Sequence, residues 1–411
     1  MLYQLHEAQH ASLAPLRLWA KVTADFYGNP FGMLSHNPMS RIMIAGADVI
    51  LRMTHRYAKP AFGLNETTIQ GKTVAVSEEI VLDKSFCELR HFKRDTTRKD
   101  PKVLMVAPLS GHYATLLRDT VKTFLPDHDV YITDWRDARM VPVTEGVFGF
   151  DDYVAYVQEF IRFLGTDVNV VSVCQPTVPV LAAISLMAQH GEKTPKTMLM
   201  MGGPIDTRRS PTVVNNFALK HPIEWFENRL ISRVPAKYPG FTRSVYPGFL
   251  QLAGFVAMNP DRHIDTHKDY FYHLVKGDGE SADAHRAFYD EYNAVMDLPA
   301  EYYLDTIQAV FQEHHLPLGK MVVAGETVNP GAIKTTALFS IEGELDDISG
   351  NGQTEAAHAL CSGIPAARHQ HLLSPKVGHY GLFSGRRFRE NIYPKMTEFI
   401  RKFSSQLRQG H

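Results

Sequence analysis

Three side chains in this sequence have the types and the chain order that covalent acyl transfer requires. Cys174 closes the apolar run of VNVVSVCQPTVPV, Asp346 and Asp347 end SIEGELDD, and His379 sits in KVGHYG. A cysteine sulfur can attack a carbonyl once an imidazole has taken its proton, and a carboxylate behind the imidazole fixes its tautomer and stabilises its charged form. Local context fits each role. Ser172 is small where a sharp turn after a strand would be crowded, and Pro176 suits a first helical turn. A helix N-terminus at Cys174 favours a thiolate. Pro176 has no N–H, so the Gln175 N–H is the oxyanion donor on that side. The second donor should come from the loop in APLSGHYATLLRD, at Leu109, Ser110 or a close neighbour. Of the two acids, Asp346 is preferred because it stands three residues after Gly343, where the chain can turn, and Asp347 reads as a solvated or capping residue. His379 lies between glycines, with His369 and His371 as weaker competitors.

Such groups must be carried to one edge of a sheet. KVLMVAPL, DVYITDW, VNVVSVC, KTMLMMGGP, TTALFSIEGELDD and HQHLLSPK read as strands. Between several of them lie helical patterns such as DDYVAYVQEFIRFLG, with Asp151 or Asp152 as its N-cap. Buried strands alternating with helices give a mostly parallel sheet covered on both faces. Nucleophile, acid and histidine, each after a strand and in that order, predict an α/β-hydrolase fold. Residues 96–205 and 331–411 form its core. Residues 206–330, rich in aromatics and proline, form an inserted, mainly helical cap. Residues 1–95 are expected to be a mainly helical extension packed on the core, including an amphipathic helix in PMSRIMIAGADVILRMTHRY with Ile42, Ile44, Val49, Leu51 and Met53 on one side.

Composition narrows the partners. The 411 residues carry a formal net charge of −1, which offers no general attraction for nucleic acid. Cys87, Cys174 and Cys361 are too few for a disulfide framework and fit a reducing compartment. No basic segment followed by an apolar core opens the chain, and no apolar run reaches a membrane span, so a cytoplasmic protein without a transmembrane segment is expected. His263, Asp265, His267 and His273 lack the facial spacing of an open metal site, and no metal is expected. SGRRFR, at 384–389, reads as a solvated helix start, with an anionic acceptor as its functional alternative.

The motifs VCQPTVPVLAA, GGPIDTRRSPTVVN, SIEGELDDISGNGQTEAAH and PKVGHYGLFSGRRF are similar to those of intracellular polyhydroxyalkanoate depolymerases of the poly(3-hydroxybutyrate) type, and the resemblance runs over essentially the whole chain. It implies a cysteine nucleophile with Asp and His partners, at Cys174, Asp346 and His379. It also implies action on amorphous polymer granules in the bacterial cytoplasm, with release of hydroxybutyrate oligomers and monomers. No cofactor is required, and coenzyme A is an alternative acyl acceptor to water. The granule surface is the expected partner, and a homo-oligomer is compatible with the sequence. The cap would dock and thread a water-insoluble polyester, with His112, Tyr113, Trp225, Phe226, Tyr238, Phe241, Tyr246 and Phe249 as candidate contacts. The alternatives are a polyhydroxyalkanoate synthase-like acyltransferase and a non-catalytic granule-coat protein. The synthase box has glycines where Ser172 and Pro176 stand.

Overall fold

Nine strands form the main sheet: β1 Glu66–Ile69, β2 Lys72–Asp83, β3 Cys87–Arg94, β4 Lys102–Val106, β5 Asp129–Trp135, β6 Asn169–Val173, β7 Thr197–Met201, β8 Ala337–Gly343 and β9 His369–Ser374. Their spatial order is β1-β2-β3-β5-β4-β6-β7-β8-β9. From β5 to β9 neighbours pair in parallel, whereas β1, β2 and β3 extend the β5 edge antiparallel. The structure, a computed structural model, describes residues 2–29, 31, 37–258 and 260–404. Residues 1, 30 and 32–36 of the expected N-terminal extension, and 405–411 of the expected core segment, lie outside the described residues.

The central strands are short and β-branched or apolar because both of their faces are covered. Every residue of β6, β7 and β8 is buried. On one face, helix α6 (Thr177–Gln189) buries each side chain from Thr177 to Met187. Beside it, α5 (Phe150–Leu164) buries Tyr153, Val157, Phe160, Ile161 and Leu164, an i, i+3, i+4 stripe. Its cap differs from the expectation. Gly149 is the N-cap, and Asp152, already inside the helix, reaches back to accept the Gly149 N–H at 2.8 Å. The carboxylate of Asp305 accepts the next free donor, Phe150 N–H, at 3.1 Å. The last helix (Tyr393–Ser404) buries Met396, Phe399, Ile400 and Phe403.

The N-terminal extension is helical up to Thr54 and β from Glu66. Helices α1 (Leu2–Ser12), α2 (Ala14–Gly28) and α3 (Pro38–Thr54) are followed by β1–β3, which belong to the main sheet. β2 is largely exposed, while β3, paired on both sides, is mostly buried or half-buried. Charged residues fill KTVAVSEEIVLD and CELRHFKR, and no apolar run announces them. Helix α3 forms as expected but does not bury its large apolar residues. It buries Ser40, Ala45 and Ala47, packs against α2 and the helix Pro260–Lys276, and leaves Ile42 43% and Met53 70% exposed.

The insertion between β7 and β8 is mainly helical. Its helices include Val213–Lys220, Ile223–Leu230, Gly248–Met258, Gly279–Tyr292 and Ala300–Thr306. A small antiparallel sheet of 232–233, 244–246 and 298–299 ties their ends together. No helix of the described residues is long and apolar enough to cross a membrane.

Candidate active site

Cys174 stands one residue beyond β6 with φ of +67°, a left-handed conformation that a side-chain-bearing residue adopts only under constraint. The chain is held on both sides of it. The Cys174 N–H donates to Met201 O at 2.7 Å, extending the ladder between β6 and β7 by one bond, and the Thr177 N–H and hydroxyl both donate to Cys174 O. Pro176 occupies the N-cap position of α6 in helical geometry. Space for this elbow comes from the neighbouring strand end. Gly203 lies so close to Thr177 that a Cβ there would collide with its side chain.

Asp346 and His379 come from the loops after β8 and β9. Asp346 Oδ2 accepts from His379 Nδ1 at 2.8 Å, while Oδ1 accepts the Ile348 and Ser349 N–H groups at 2.9 and 2.8 Å. The Asp346 side chain is fully buried and that of His379 5% exposed. Asp347 is exposed. Gly343 is needed for a different reason from the one expected. Its φ is ordinary, but a Cβ would stand 2.5 Å from Val377 O, so the glycine lets the acid and histidine loops approach. His369 and His371 lie away from this site, around His358 and Ser340.

Cys174 and His379 line the same cavity. Burial pulls the His379 imidazole down, but the charge of the hydrogen-bonded Asp346 carboxylate and of the nearby Cys174 sulfur holds it well above its usual value. Gly202, at the end of β7, forms the floor. Its φ is +55°, and a Cβ would meet Leu382, Asp346 and His379 at 2.8, 3.1 and 3.3 Å. Its glycine signal was present in MGGP, but nothing local revealed what it touches.

The loop after β4 brings Leu109 and Ser110 to the same cavity as Cys174 and His379. The Leu109 N–H points at Gln175 Oε1, 3.4 Å away. The cavity measures about 470 Å³ and is walled mainly by apolar groups. Of the predicted substrate contacts, His112, Phe226 and Tyr246 line it. His112 is there as a neutral wall residue: burial lowers its pKa to about 4, and Nε2 is within 3.0 Å of Tyr292 O.

The other five expected contacts are elsewhere. Tyr113 turns inward and donates to Asp137 at 3.2 Å. Trp225 stacks on His221, inside the cap. Tyr238 packs against Tyr3 and under Arg139, and Phe241 is 51% exposed. Phe249 stacks on His6 and lines a separate cavity of about 910 Å³ beside α1 and α3. The wall is instead completed by Phe217, Phe255, Tyr302, Tyr303, Phe311, Tyr380 and Phe383. Aromatic density marked the cap, but which face of each short helix turns to the cavity depends on how the helices dock.

Among the described residues no group of three His, Cys, Asp or Glu side chains could hold a metal ion. His263 and His267 engage Tyr289 and a helix carbonyl, Asp265 pairs with Lys268 and His273 with Asp278. In the basic cluster, Arg389 pairs with Asp119 at 2.7 Å and Arg386 is 81% exposed on its side chain.

Solved structures of similar shape include 2-hydroxy-6-oxo-6-phenylhexa-2,4-dienoate hydrolase from Rhodococcus sp. strain RHA1 (10% identity, 80% of this chain and 99% of that one, TM-score 0.44). Another is a thermophilic esterase from Thermogutta terrifontis (12% identity, 82% and 97%, TM-score 0.41). No curated protein matches the sequence. Residues 202–404, just under half of the chain, match the family model described as PHB de-polymerase C-terminus; the match contains Asp346 and His379 and begins after Cys174. With its strand order and cap, the chain has an α/β-hydrolase fold, and over residues 202–404 it is similar to the depolymerase family.

Proposed function

We propose that the protein cleaves the ester bonds of poly(3-hydroxybutyrate) through a covalent thioester on Cys174. The observation that carries this reading is the His379–Asp346 hydrogen bond at 2.8 Å in an apolar cavity of about 470 Å³ that Cys174 also lines, beneath the cap. The depolymerase match over residues 202–404 supports the choice of polyester. An unsubstituted aliphatic polyester offers carbonyls and methyl groups but no charge, and the cavity wall is of the same character.

The Cys174 sulfur, its proton transferred to His379, attacks the ester carbonyl carbon. Negative charge builds on the carbonyl oxygen, where the Gln175 and Leu109 N–H groups stabilise it. Collapse of the tetrahedral intermediate breaks the C–O bond, and the leaving alkoxide takes the proton from His379. A water molecule then gives a proton to His379 and attacks the thioester, releasing the 3-hydroxybutyryl acid and restoring the thiol. Asp346 keeps the His379 Nδ1 proton in place throughout, so that Nε2 serves as the base. Coenzyme A can replace water in the second half, giving a 3-hydroxybutyryl thioester. We assign the enzyme to the surface of cytoplasmic polymer granules. Native granules incubated with enzyme, with and without coenzyme A, should release soluble hydroxybutyrate products identifiable by mass. Cys174→Ala should release none while keeping its Tm; sustained release by that variant would sink the assignment.

A further inference from the structure

The residue after the nucleophile does more than offer its backbone N–H. Gln175 is only 8% exposed, and its side-chain amide is used at both ends. Oε1 accepts the Leu109 N–H at 3.4 Å, and Nε2 donates to the Tyr302 hydroxyl. Tyr302 belongs to the cap helix Ala300–Thr306, is 1% exposed, and stacks on Tyr153 with ring centroids 5.2 Å apart. The loop itself is anchored at Ala107. Its carbonyl accepts from Trp135 Nε1 at 2.8 Å and the Tyr153 hydroxyl at 3.2 Å, and its N–H donates to Thr133 at 2.9 Å. Two residues further on, the Leu109 N–H has the Gln175 side chain as its acceptor.

We propose that the Gln175 side chain is a positioning residue of the oxyanion hole: a stand-in acceptor that occupies the Leu109 N–H between turnovers and is held there by the cap through Tyr302. A buried N–H without an acceptor carries a free-energy cost, and the Gln175 amide oxygen offers the Leu109 N–H an acceptor from within the chain. At 3.4 Å the substitute lies beyond the usual range of about 2.7–3.2 Å, so an oxyanion, a charged and stronger acceptor, displaces it. Tyr302 biases the contest. While its hydroxyl holds Nε2, Oε1 stays aimed at Leu109; when the cap helix shifts, the hole is released. The device links cap position to transition-state stabilisation, and it rests on the proposed Cys174 hydrolysis.

Tyr302→Phe removes the hydroxyl and keeps the ring. With a soluble 3-hydroxybutyrate trimer ester, its kcat should rise about three- to tenfold, the scale of one net hydrogen bond. A scaffold role for Tyr302 would lower or preserve kcat, and either result overturns the proposal. Gln175→Glu supplies a second reading that keeps the Tyr302 ring and hydroxyl, the hydroxyl now donating to the new carboxylate instead of accepting from an amide. Its carboxylate is a stronger competitor for Leu109 once ionised, so its rate relative to the unsubstituted enzyme should fall as pH rises from about 5 to 8. A deficit independent of pH overturns the proposal. Cys174→Ala run alongside keeps the two readings separate. Turnover surviving in that variant refutes the thioester mechanism, whereas Cys174-dependent turnover without the Tyr302→Phe gain refutes only the stand-in role.

Discussion

Replacing Asp346 by Asn tests the candidate triad with a nearly isosteric change. Oδ1 of Asp346 accepts two backbone N–H groups, and Oδ2 faces His379 Nδ1 at 2.8 Å. The amide oxygen of the introduced asparagine must therefore keep the Ile348 and Ser349 donors, which leaves its NH2 turned toward His379. Nδ1 then has to accept, the imidazole proton moves to Nε2, and the base facing Cys174 is lost. The carboxylate's attraction for an imidazolium at 2.8 Å is about 6 kcal/mol at an effective dielectric of 20, before desolvation is set against it. The combined loss should lower kcat by roughly 10³–10⁴, as for the Asp→Asn change in other triads.

The pH dependence has a definite sign. His379 is held above its usual value, so its charged partnership is complete below about pH 6.5 and is lost as pH rises through the raised value. Asp346→Asn should move that loss to lower pH, in Tm and in iodoacetamide labelling of Cys174 alike. Kinetics on the trimer ester, with thermal melts as the folding control, make the assay. An Asp346→Asn enzyme within tenfold of the parent would refute the tautomer argument.

Further expectations follow from neighbouring groups. Gly202→Ala puts a methyl group against Leu382, Asp346 and His379 at φ +55°, and should destabilise by about 1–3 kcal/mol in denaturant melts while cutting kcat more than KM. Gly254 lines the cavity with nothing within 4 Å of a Cβ. Gly254→Phe should therefore fold normally yet slow the trimer ester at least tenfold more than a butyrate ester. Asp137, raised to about 7 by burial and by the nearby Asp297 carboxylate, keeps a proton that the unfolded chain releases near pH 4. Stability from this pair accordingly falls as pH rises from about 4 to 7. Asp297→Asn, which can still accept from Gly248 and can donate to Tyr3, should flatten the decline in Tm between pH 5 and 8. A decline as steep as in the parent would remove Asp297 as its cause.

Much of this was written locally. Cys174 and Asp346 each follow a strand whose composition announces it, because strands buried on both faces admit few residue types, whereas His379 follows the half-exposed edge strand HQHLLS. Their order along the chain then follows from topology rather than from contact. The charged strands β2 and β3 were not legible, since β2 is largely exposed and charged residues interrupt the alternation of both. The cap was visible as a change of composition, but its members were not. Phe226 and Tyr246 reach the cavity, whereas Tyr113, Tyr238 and Phe249 bond or stack elsewhere. Short helices have no sequence signature for the azimuth at which they dock.

By itself, then, the sequence determined the scaffold and placed a thiol, a carboxylate and an imidazole after three strands of a parallel sheet. Only the tertiary structure decided what surrounds them. It put φ +67° on Cys174, a glycine under His379, and a cap tyrosine on the amide of Gln175. The physical reason is range. Strand patterns, turns and helix starts are set by neighbours in the chain, but close approaches between residues 175 and 302, or 202 and 379, are set by packing, and packing has no local code.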